Sequence, residues 1–204
     1  MTVMLIVIVA VGLIFDFING FHDSANSIAT IVSTKVLTPF QAVLWAGLFN
    51  FVAYFIFRDH KVANTVASIV HQDRVDLHIV LAGLLAAICW NLLTWWFGIP
   101  SSSSHTLIGG FIGAAIAKMG TFDVIVYKNL IKTVSFIFLS PLIGMILAFI
   151  ITLAVVWTSR KSHPFKADRW FKRLQLVSSA VFSIGHGGND AQKTMGLIAL
   201  ALTT

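Results

Sequence analysis

The stretch Phe17-Ile18-Asn19-Gly20-Phe21-His22-Asp23-Ser24-Ala25-Asn26-Ser27 interrupts, with polar side chains, a segment that is apolar from Val3 onward and becomes apolar again afterwards. A second polar stretch, Gly185-His186-Gly187-Gly188-Asn189-Asp190-Ala191-Gln192-Lys193, interrupts the last apolar segment in the same manner. Glycine and clustered polar side chains weaken a helix. The pattern therefore predicts two helices that are broken near their aspartates.

The composition places these helices in a membrane. The chain has 204 residues, of which 57% are hydrophobic and 11% charged, whereas a soluble domain carries roughly 25% charged residues. Uncharged runs cover 36–57, 79–117 and 133–159, and about 20 apolar residues span the hydrocarbon layer. We predict an all-α integral membrane protein, a multi-spanning helical bundle in contact with the lipid bilayer.

The apolar runs and their interruptions divide the chain into three parts. Residues 1–157 form a first transmembrane repeat, 158–173 a basic loop, and 174–204 the start of a second repeat. A mixed-charge loop, 58–76, separates the second and third spans. Within the first repeat we expect a re-entrant hairpin over 98–118, since Gly98-Ile99-Pro100 breaks the helix and the following apolar arm, 106–117, is too short to span.

The net charge of +6 does not indicate a nucleic-acid partner. Six of the fourteen Lys and Arg residues fall between Arg160 and Arg173. A basic segment between spans is typical of the cytoplasmic side of a membrane protein. We therefore expect no nucleic acid and place this loop in the cytoplasm; the side on which the N-terminus lies stays open.

Asp23 and Asp190 carry the clearest chemical signal, because a carboxylate at membrane depth costs on the order of 3 kcal/mol. Gly20–Asn26 and Gly187–Lys193 align on their glycine and their aspartate, and paired interruptions of this kind are typical of the ion sites of transporters with inverted repeats. Each carboxylate, with Asn26 or Asn189 beside it, is a candidate to coordinate a coupling cation or to carry a coupling proton. The alternative is a structural ion pair between Asp190 and Lys193.

The hairpin tip carries four consecutive serines, Ser101 to Ser104, followed by His105 and Thr106. Small hydroxyl donors next to a helix N-terminus favour an anion, and they can release it because no fixed charge holds it. A polar cap between two packed helices is the alternative. Farther along the same arm Gly109, Gly113 and Ala117 recur every four residues, which predicts a face of close helix contact.

Three histidines, His22, His105 and His186, lie inside these motifs. We expect them to hydrogen-bond around the sites rather than to bind cation or substrate directly. Their spacing does not fit a zinc site, and Cys89 is the only cysteine. No cofactor is therefore expected beyond the coupling ion.

Three ordered motifs resemble those of the PiT family of inorganic phosphate transporters. Residues 17–30 resemble the first signature of that family, 183–196 the second signature, and 98–105 the hairpin motif. The resemblance implies a membrane transporter of two inverted repeats, each with its own serine or threonine hairpin. Because this chain ends just after the second signature, we expect it to be truncated at its C-terminus.

The resemblance also implies residue roles. Asp23, Asn26, Asn189 and Asp190 would serve the coupling cation, with sodium as a candidate metal there, and Ser102, Ser103 and Ser104 would contact phosphate. The sequence departs from the common signature at Phe21-His22, which leaves sodium and proton coupling both open. A multi-pass location in the cell membrane follows, and a homodimer stays open as an assembly.

We therefore predict a secondary active symporter for inorganic phosphate and not an enzyme. One alternative is a permease for sulfate or another tetrahedral oxyanion, because hydroxyls and amides alone do not separate these anions. A remote alternative is an intramembrane serine hydrolase that uses Ser104 with a motif histidine, although adjacent Ser104 and His105 are not arranged for proton transfer and the sequence lacks a G-x-S-x-G elbow.

Overall fold

The computed structural model describes residues 2–57 and 61–203, so that 58–60 of the predicted mixed-charge loop lie outside the described residues. The described chain folds into helices joined by short turns, as predicted for an all-α protein. The helices are α1 (Thr2–Ser33), α2 (Pro39–Ile56), α3 (Lys61–Ala67), α4 (Leu77–Trp96), α5 (Ser103–Met119), α6 (Tyr127–Ser159) and α7 (Pro164–Thr203).

Four of these helices, α1, α2, α4 and α6, are long and apolar enough to cross a membrane. Their outward surfaces carry large exposed apolar side chains, and α6 has no buried residue among those described. An exposed apolar surface of this extent is stable only against lipid or protein. The protein is a multi-pass membrane protein, in agreement with the prediction from composition.

The predicted breaks at Asp23 and Asp190 are wrong, because α1 and α7 each run as continuous helices through their polar stretch. Gly187 in the second stretch and Gly196 just after it serve close packing instead of unwinding. A Cβ atom at Gly187 would lie 2.7 Å from the Cα of Asn50, and one at Gly196 would lie 2.5 Å from the carbonyl oxygen of Ala63. Glycine therefore lets α2 and α3 approach α7, and the helical backbone keeps its own hydrogen bonds.

Helices α1 and α7 lie antiparallel along much of their length. Thr34 Oγ1 donates to Gln175 Oε1 at 2.8 Å near one end, and Ser179 Oγ donates to the carbonyl oxygen of Ser27 at 3.3 Å. Farther along, the Thr194 hydroxyl donates to Asp16. This register places the two polar stretches side by side. The inverted repeat itself stays a prediction.

The hairpin has longer arms than the sequence predicts. Its first arm is the whole of α4 and its second is α5, which begins at Ser103 because the Ser102 side chain accepts a hydrogen bond from the amide of His105. Gly120, with φ of 69°, ends α5 in the left-handed conformation. The tip is thus 97–102, and the re-entrant course of the hairpin in the membrane stays a prediction.

The close contact between the hairpin arms is made by Gly83 and Gly110. A Cβ at Gly110 would lie 2.6 Å from the carbonyl oxygen of Gly83, whereas within the described part of the chain nothing lies within 4 Å of one at Gly109 or Gly113. The face predicted from Gly109 and Gly113 is therefore not the packed one. The four-residue spacing predicted a packed face one position away from the observed one, because Gly110 and not Gly109 faces α4.

Gly110→Ala should therefore destabilise the hairpin by about 1–3 kcal/mol, the usual cost of overpacking. Gly109→Ala is the matched control, since alanine is favoured over glycine in a helix by up to about 1 kcal/mol and meets no neighbour there. Thermal unfolding of both variants in detergent checks this pair. Equal melting temperatures for the two variants would contradict the assigned contact.

The basic segment 158–173 is a loop only in its middle. Helix α6 ends at Ser159 and α7 begins at Pro164, so most of the predicted loop is helical. Proline fits the first turn of a helix, and Asp168 and Lys172 form an ion pair of 2.8 Å one turn apart. These local preferences outweigh the polarity that suggested a loop; the division of the chain into repeats remains a prediction.

Candidate functional site

One cavity of about 550 Å³ brings together the residues that the sequence analysis selected from three separate motifs. Helix α1 supplies Asp23 and Asn26, the hairpin tip supplies the serines 101–104, and α7 supplies Asn189 and Asp190. His186 and Lys193 of α7 also line the cavity. All seven residues predicted to bind phosphate or the coupling cation thus lie around one space.

Two carboxylates and one imidazole converge in the wall of this cavity. Ligand atoms of Asp23, His186 and Asp190 lie within 4.8 Å of one another, and all three residues are half-buried. His186 Nε2 lies 3.0 Å from Asp190 Oδ2, and Lys193 Nζ donates to Asp190 Oδ1 at 2.6 Å. The alternative ion pair between Asp190 and Lys193 is therefore present, but it engages one oxygen of Asp190 only.

The hairpin tip contacts the acidic cluster directly. Ser103, which is buried, donates from Oγ to Asp23 Oδ2 at 3.3 Å. Because α5 begins at Ser103, its N-terminal end and the partial positive charge of that end lie at the serine tip. Donors for an anion and carboxylates for a cation are therefore in contact within one cavity.

The remaining predicted residues differ in position. Asn26 Nδ2 lies 3.5 Å from Asp23 Oδ1, one helical turn away. His186 contacts Asp190, as expected for a histidine that positions a ligand by hydrogen bonding.

The other two motif histidines lie away from the cavity. His105 lines a different cavity, beside Thr106 and Gly109. His22 does not line this cavity, and it does not line a second polar cavity between α1, α2 and α7. Its Nε2 atom is buried and has no hydrogen-bond partner in the described part of the chain.

Sequence reasoning missed several contributors. Lys193 was considered only as a partner of Asp190, although it brings an ammonium group into the cavity. Val62, Thr65 and Thr133 reach the cavity from α3 and α6, and no local pattern marks them. Asp16 lies in a second polar cavity on the other side of Asp190. The signal for Asp16 was available, because it is an acidic residue inside an apolar run.

The donor set suits a cation. Carboxylate and amide oxygens are the ligands that hard cations prefer, and Asp23, Asn26, Asn189 and Asp190 line the same cavity. The residues present therefore fit a coupling cation.

Comparison with known proteins defines the class of this chain. The phosphate transporter family matches residues 19–204, and the chain belongs to that family. The similarity extends over most of the motifs described above, including both aspartates and the serine tip. The PiT resemblance drawn from these motifs is thereby confirmed.

Several relatives are named as probable low-affinity inorganic phosphate transporters. The protein of Rhizobium meliloti is 51% identical, over 98% of this chain and 59% of its own length. That of Bacillus subtilis is 46% identical, over 99% and 61%, and that of Streptomyces halstedii is 44% identical, over 90% and 86%. The chain thus spans about three fifths of the length of the first two relatives.

A solved structure described as a sodium-dependent phosphate transporter has the same fold. It superposes with a TM-score of 0.89 at 23% identity, covering 100% of this chain and 68% of the other. The family match and the names of the relatives place the chain in a family of transporters and not of enzymes. The hydrolase alternative also lacks geometry, since His186 Nε2 is paired with Asp190 and no hydrogen bond joins it to a tip serine among the described residues.

Proposed function

We propose that the protein acts in secondary active symport of inorganic phosphate across the cell membrane, coupled to sodium ions or protons. The observation that carries the proposal is the shared cavity, in which the serine tip of the hairpin meets two carboxylates from antiparallel helices. The names of the relatives and of the structural neighbour support the same substrate.

Phosphate would bind at Ser102, Ser103 and Ser104. Their hydroxyls and the first amides of α5 can donate to its oxygens, and Lys193 lines the same cavity with its charge partly neutralised by Asp190. Hydrogen bonds to a charged group are worth about 1.5–3 kcal/mol each, so the hydroxyls and amides can supply most of the recognition. Such a site can release its anion on the far side.

The carboxylates favour phosphate over sulfate. Phosphate carries at least one O–H near neutral pH and can donate it to Asp23 or Asp190, whereas fully ionised sulfate can only accept. Buried acceptors that find no donor repel such an anion, and a mismatch of this kind is an effective means of discrimination. The sulfate alternative is therefore the weaker one.

Coupling follows from the contact between Ser103 and Asp23. While the Ser103 hydroxyl donates to Asp23, it is engaged and cannot donate to an anion. A cation or proton at Asp23 would reduce the negative charge that attracts this hydroxyl and would also offset the charge of the incoming phosphate. Each ligand would thus strengthen the binding of the other, which is a reciprocal linkage. Exposing the loaded cavity alternately to each side would complete the cycle.

Uptake of radiolabelled phosphate into liposomes that contain the reconstituted protein tests this proposal. We expect uptake that is driven by an inward sodium or proton gradient and that unlabelled phosphate competes away. Unlabelled sulfate should compete at least about tenfold more weakly, which corresponds to about 1.4 kcal/mol. Uptake that no cation gradient affects would argue against symport, and equal competition by sulfate would argue for a general oxyanion permease.

A further inference from the structure

The basic segment 158–173 joins α6 to α7 at one end of the helical bundle. The end of α1 lies close to it, because Thr34 Oγ1 donates to Gln175 Oε1 at 2.8 Å. Lys35 follows Thr34 and is exposed. This end of the bundle therefore gathers the exposed cations of two separate parts of the chain, which are Lys35, Arg160, Lys161, Lys166, Arg169, Lys172 and Arg173.

The charge of the basic segment is largely unpaired within the protein. Its six Lys and Arg residues are accompanied by one acidic residue, Asp168, which pairs with Lys172 at 2.8 Å. The other five cations form no ion pair with any residue that the structure describes. Like charges without a partner repel one another and weaken the compact state. The segment therefore favours an anionic partner outside the chain.

Large aromatic side chains accompany these cations. Trp157 is 67% exposed and Trp170 is 62% exposed. Trp157 lies near the end of the uncharged run 133–159, which is longer than the roughly 20 residues needed to span the hydrocarbon layer. Tryptophan is enriched where the hydrocarbon meets the lipid headgroups. The cations that follow Trp157 therefore lie at the level of the headgroups.

Two arginines are stacked on these tryptophans. The guanidinium carbon of Arg160 lies 5.1 Å from the ring centre of Trp157, and that of Arg173 lies 5.9 Å from the ring centre of Trp170. Stacking occupies the face of a guanidinium and leaves N–H donors along its edge. Two such donors match two oxygens of one phosphate group. Each stacked arginine is therefore oriented to bind a phosphate group at the membrane surface.

The cations of α7 add a continuous row to the stacked pair. Lys166, Arg169 and Arg173 are spaced by three and four residues, so they are neighbours on one face of the helix. None of them lines the cavity of the serine tip. The row is therefore a surface separate from the proposed transport site.

We propose that the basic segment binds anionic phospholipids of the adjacent membrane leaflet, with Arg160 and Arg173 as ligands of the headgroup phosphates. The neighbouring lysines add electrostatic attraction to the negatively charged lipid surface. A free phosphate ion offers the same oxygens but has no acyl chains to contact the two tryptophans, so the segment selects the lipid. This interaction does not depend on the proposed transport of phosphate.

Retention of radiolabelled phosphatidylglycerol by the purified full chain tests the proposal. The protein is titrated with mixed micelles of this lipid and a neutral detergent, and the lipid that elutes with the protein in gel filtration is counted. The double variant Arg160→Gln, Arg173→Gln should bind the lipid roughly 25-fold more weakly, because each Lys or Arg near an anionic surface contributes roughly fivefold. Its elution as a single sharp peak confirms that it is folded.

Two further variants separate the stacked guanidinium groups from charge in general. Arg160→Lys, Arg173→Lys keeps both charges but removes the planar donors, and it should still weaken the lipid at least about fivefold. Lys128→Gln, Lys132→Gln is the matched control, since it removes two exposed cations from the opposite end of α6. It should change the affinity by less than about twofold, because that end lies well beyond the screening distance of about 10 Å.

Equal binding of phosphatidylglycerol by the wild-type protein and by the glutamine variant of Arg160 and Arg173 would overturn the proposal. Equal losses in that variant and in the Lys128 and Lys132 control would also overturn it, as would equal binding of neutral phosphatidylcholine. Unlabelled inorganic phosphate should leave the lipid bound, and its displacement would assign the arginines to the free ion instead. Tighter binding of polyglutamate than of the lipid would assign the segment to an acidic protein partner.

Discussion

Asp23→Asn is expected to lower cation-driven phosphate uptake at least about 100-fold. The substitution keeps the shape of the side chain but removes the negative charge that lies within 4.8 Å of His186 and Asp190. Replacing a residue that only supports a metal ligand lowers metal affinity or activity by about 10–100-fold. Replacing a direct ligand should therefore lower uptake by at least the upper end of that range. Uptake into liposomes with and without a cation gradient measures the loss.

Asp168→Asn is the control for this charge change, because Asp168 is an exposed carboxylate that pairs with Lys172. It should leave uptake within about twofold of the wild-type protein. Exposed ion pairs contribute only about 0–1 kcal/mol to the stability of a protein, so the variant should fold normally. If Asp23→Asn retained full, cation-dependent uptake, the assignment of Asp23 to the coupling ion would be wrong. An equal loss in both variants would indicate a general effect of charge.

Ser103→Ala should raise the phosphate concentration for half-maximal uptake by roughly 10- to 100-fold. The variant removes a donor from the serine tip, and a hydrogen bond to a charged group is worth about 1.5–3 kcal/mol. It also removes the contact with Asp23, so the cation should bind Asp23 with equal or greater affinity in the absence of phosphate. The two effects together distinguish Ser103 from a residue that only packs.

Ser135→Ala provides the comparison for this prediction. Ser135 lies on the exposed surface of α6 and donates to the carbonyl oxygen of Ile131, away from the cavity. Its replacement should change neither the affinity for phosphate nor that for the cation. The role given to Ser103 fails if Ser103→Ala transports phosphate with wild-type affinity.

The membrane-spanning helices were predictable because their length and composition are fixed by the bilayer. The apolar run 36–57 contains α2, and the run 79–117 contains all of α4 except its first two residues. The side chains of Thr38 and Asp76 cap the N-terminal ends of these two helices. Such signals are local and need no knowledge of the neighbours. The same holds for the three motifs, whose residues could be selected one motif at a time.

Helix continuity was not predictable in this way, because glycine has two uses. At Gly187 and Gly196 it allows another backbone to approach, and at a break it would allow unwinding. The choice depends on the partner helix, which a single segment does not reveal. Likewise Val62 and Thr65 join the cavity only because α3 packs on α7.

The antiparallel pairing of α1 with α7 has a consequence for biosynthesis. Asp23 leaves the ribosome about 170 residues before Asp190, a delay of roughly ten to thirty seconds at about 5–20 residues per second. Throughout that interval the polar face of α1 has no α7 to cover it. Until α7 is made, α1 can pack only against α2 and α4, so the cavity that joins Asp23 to Asp190 is completed last.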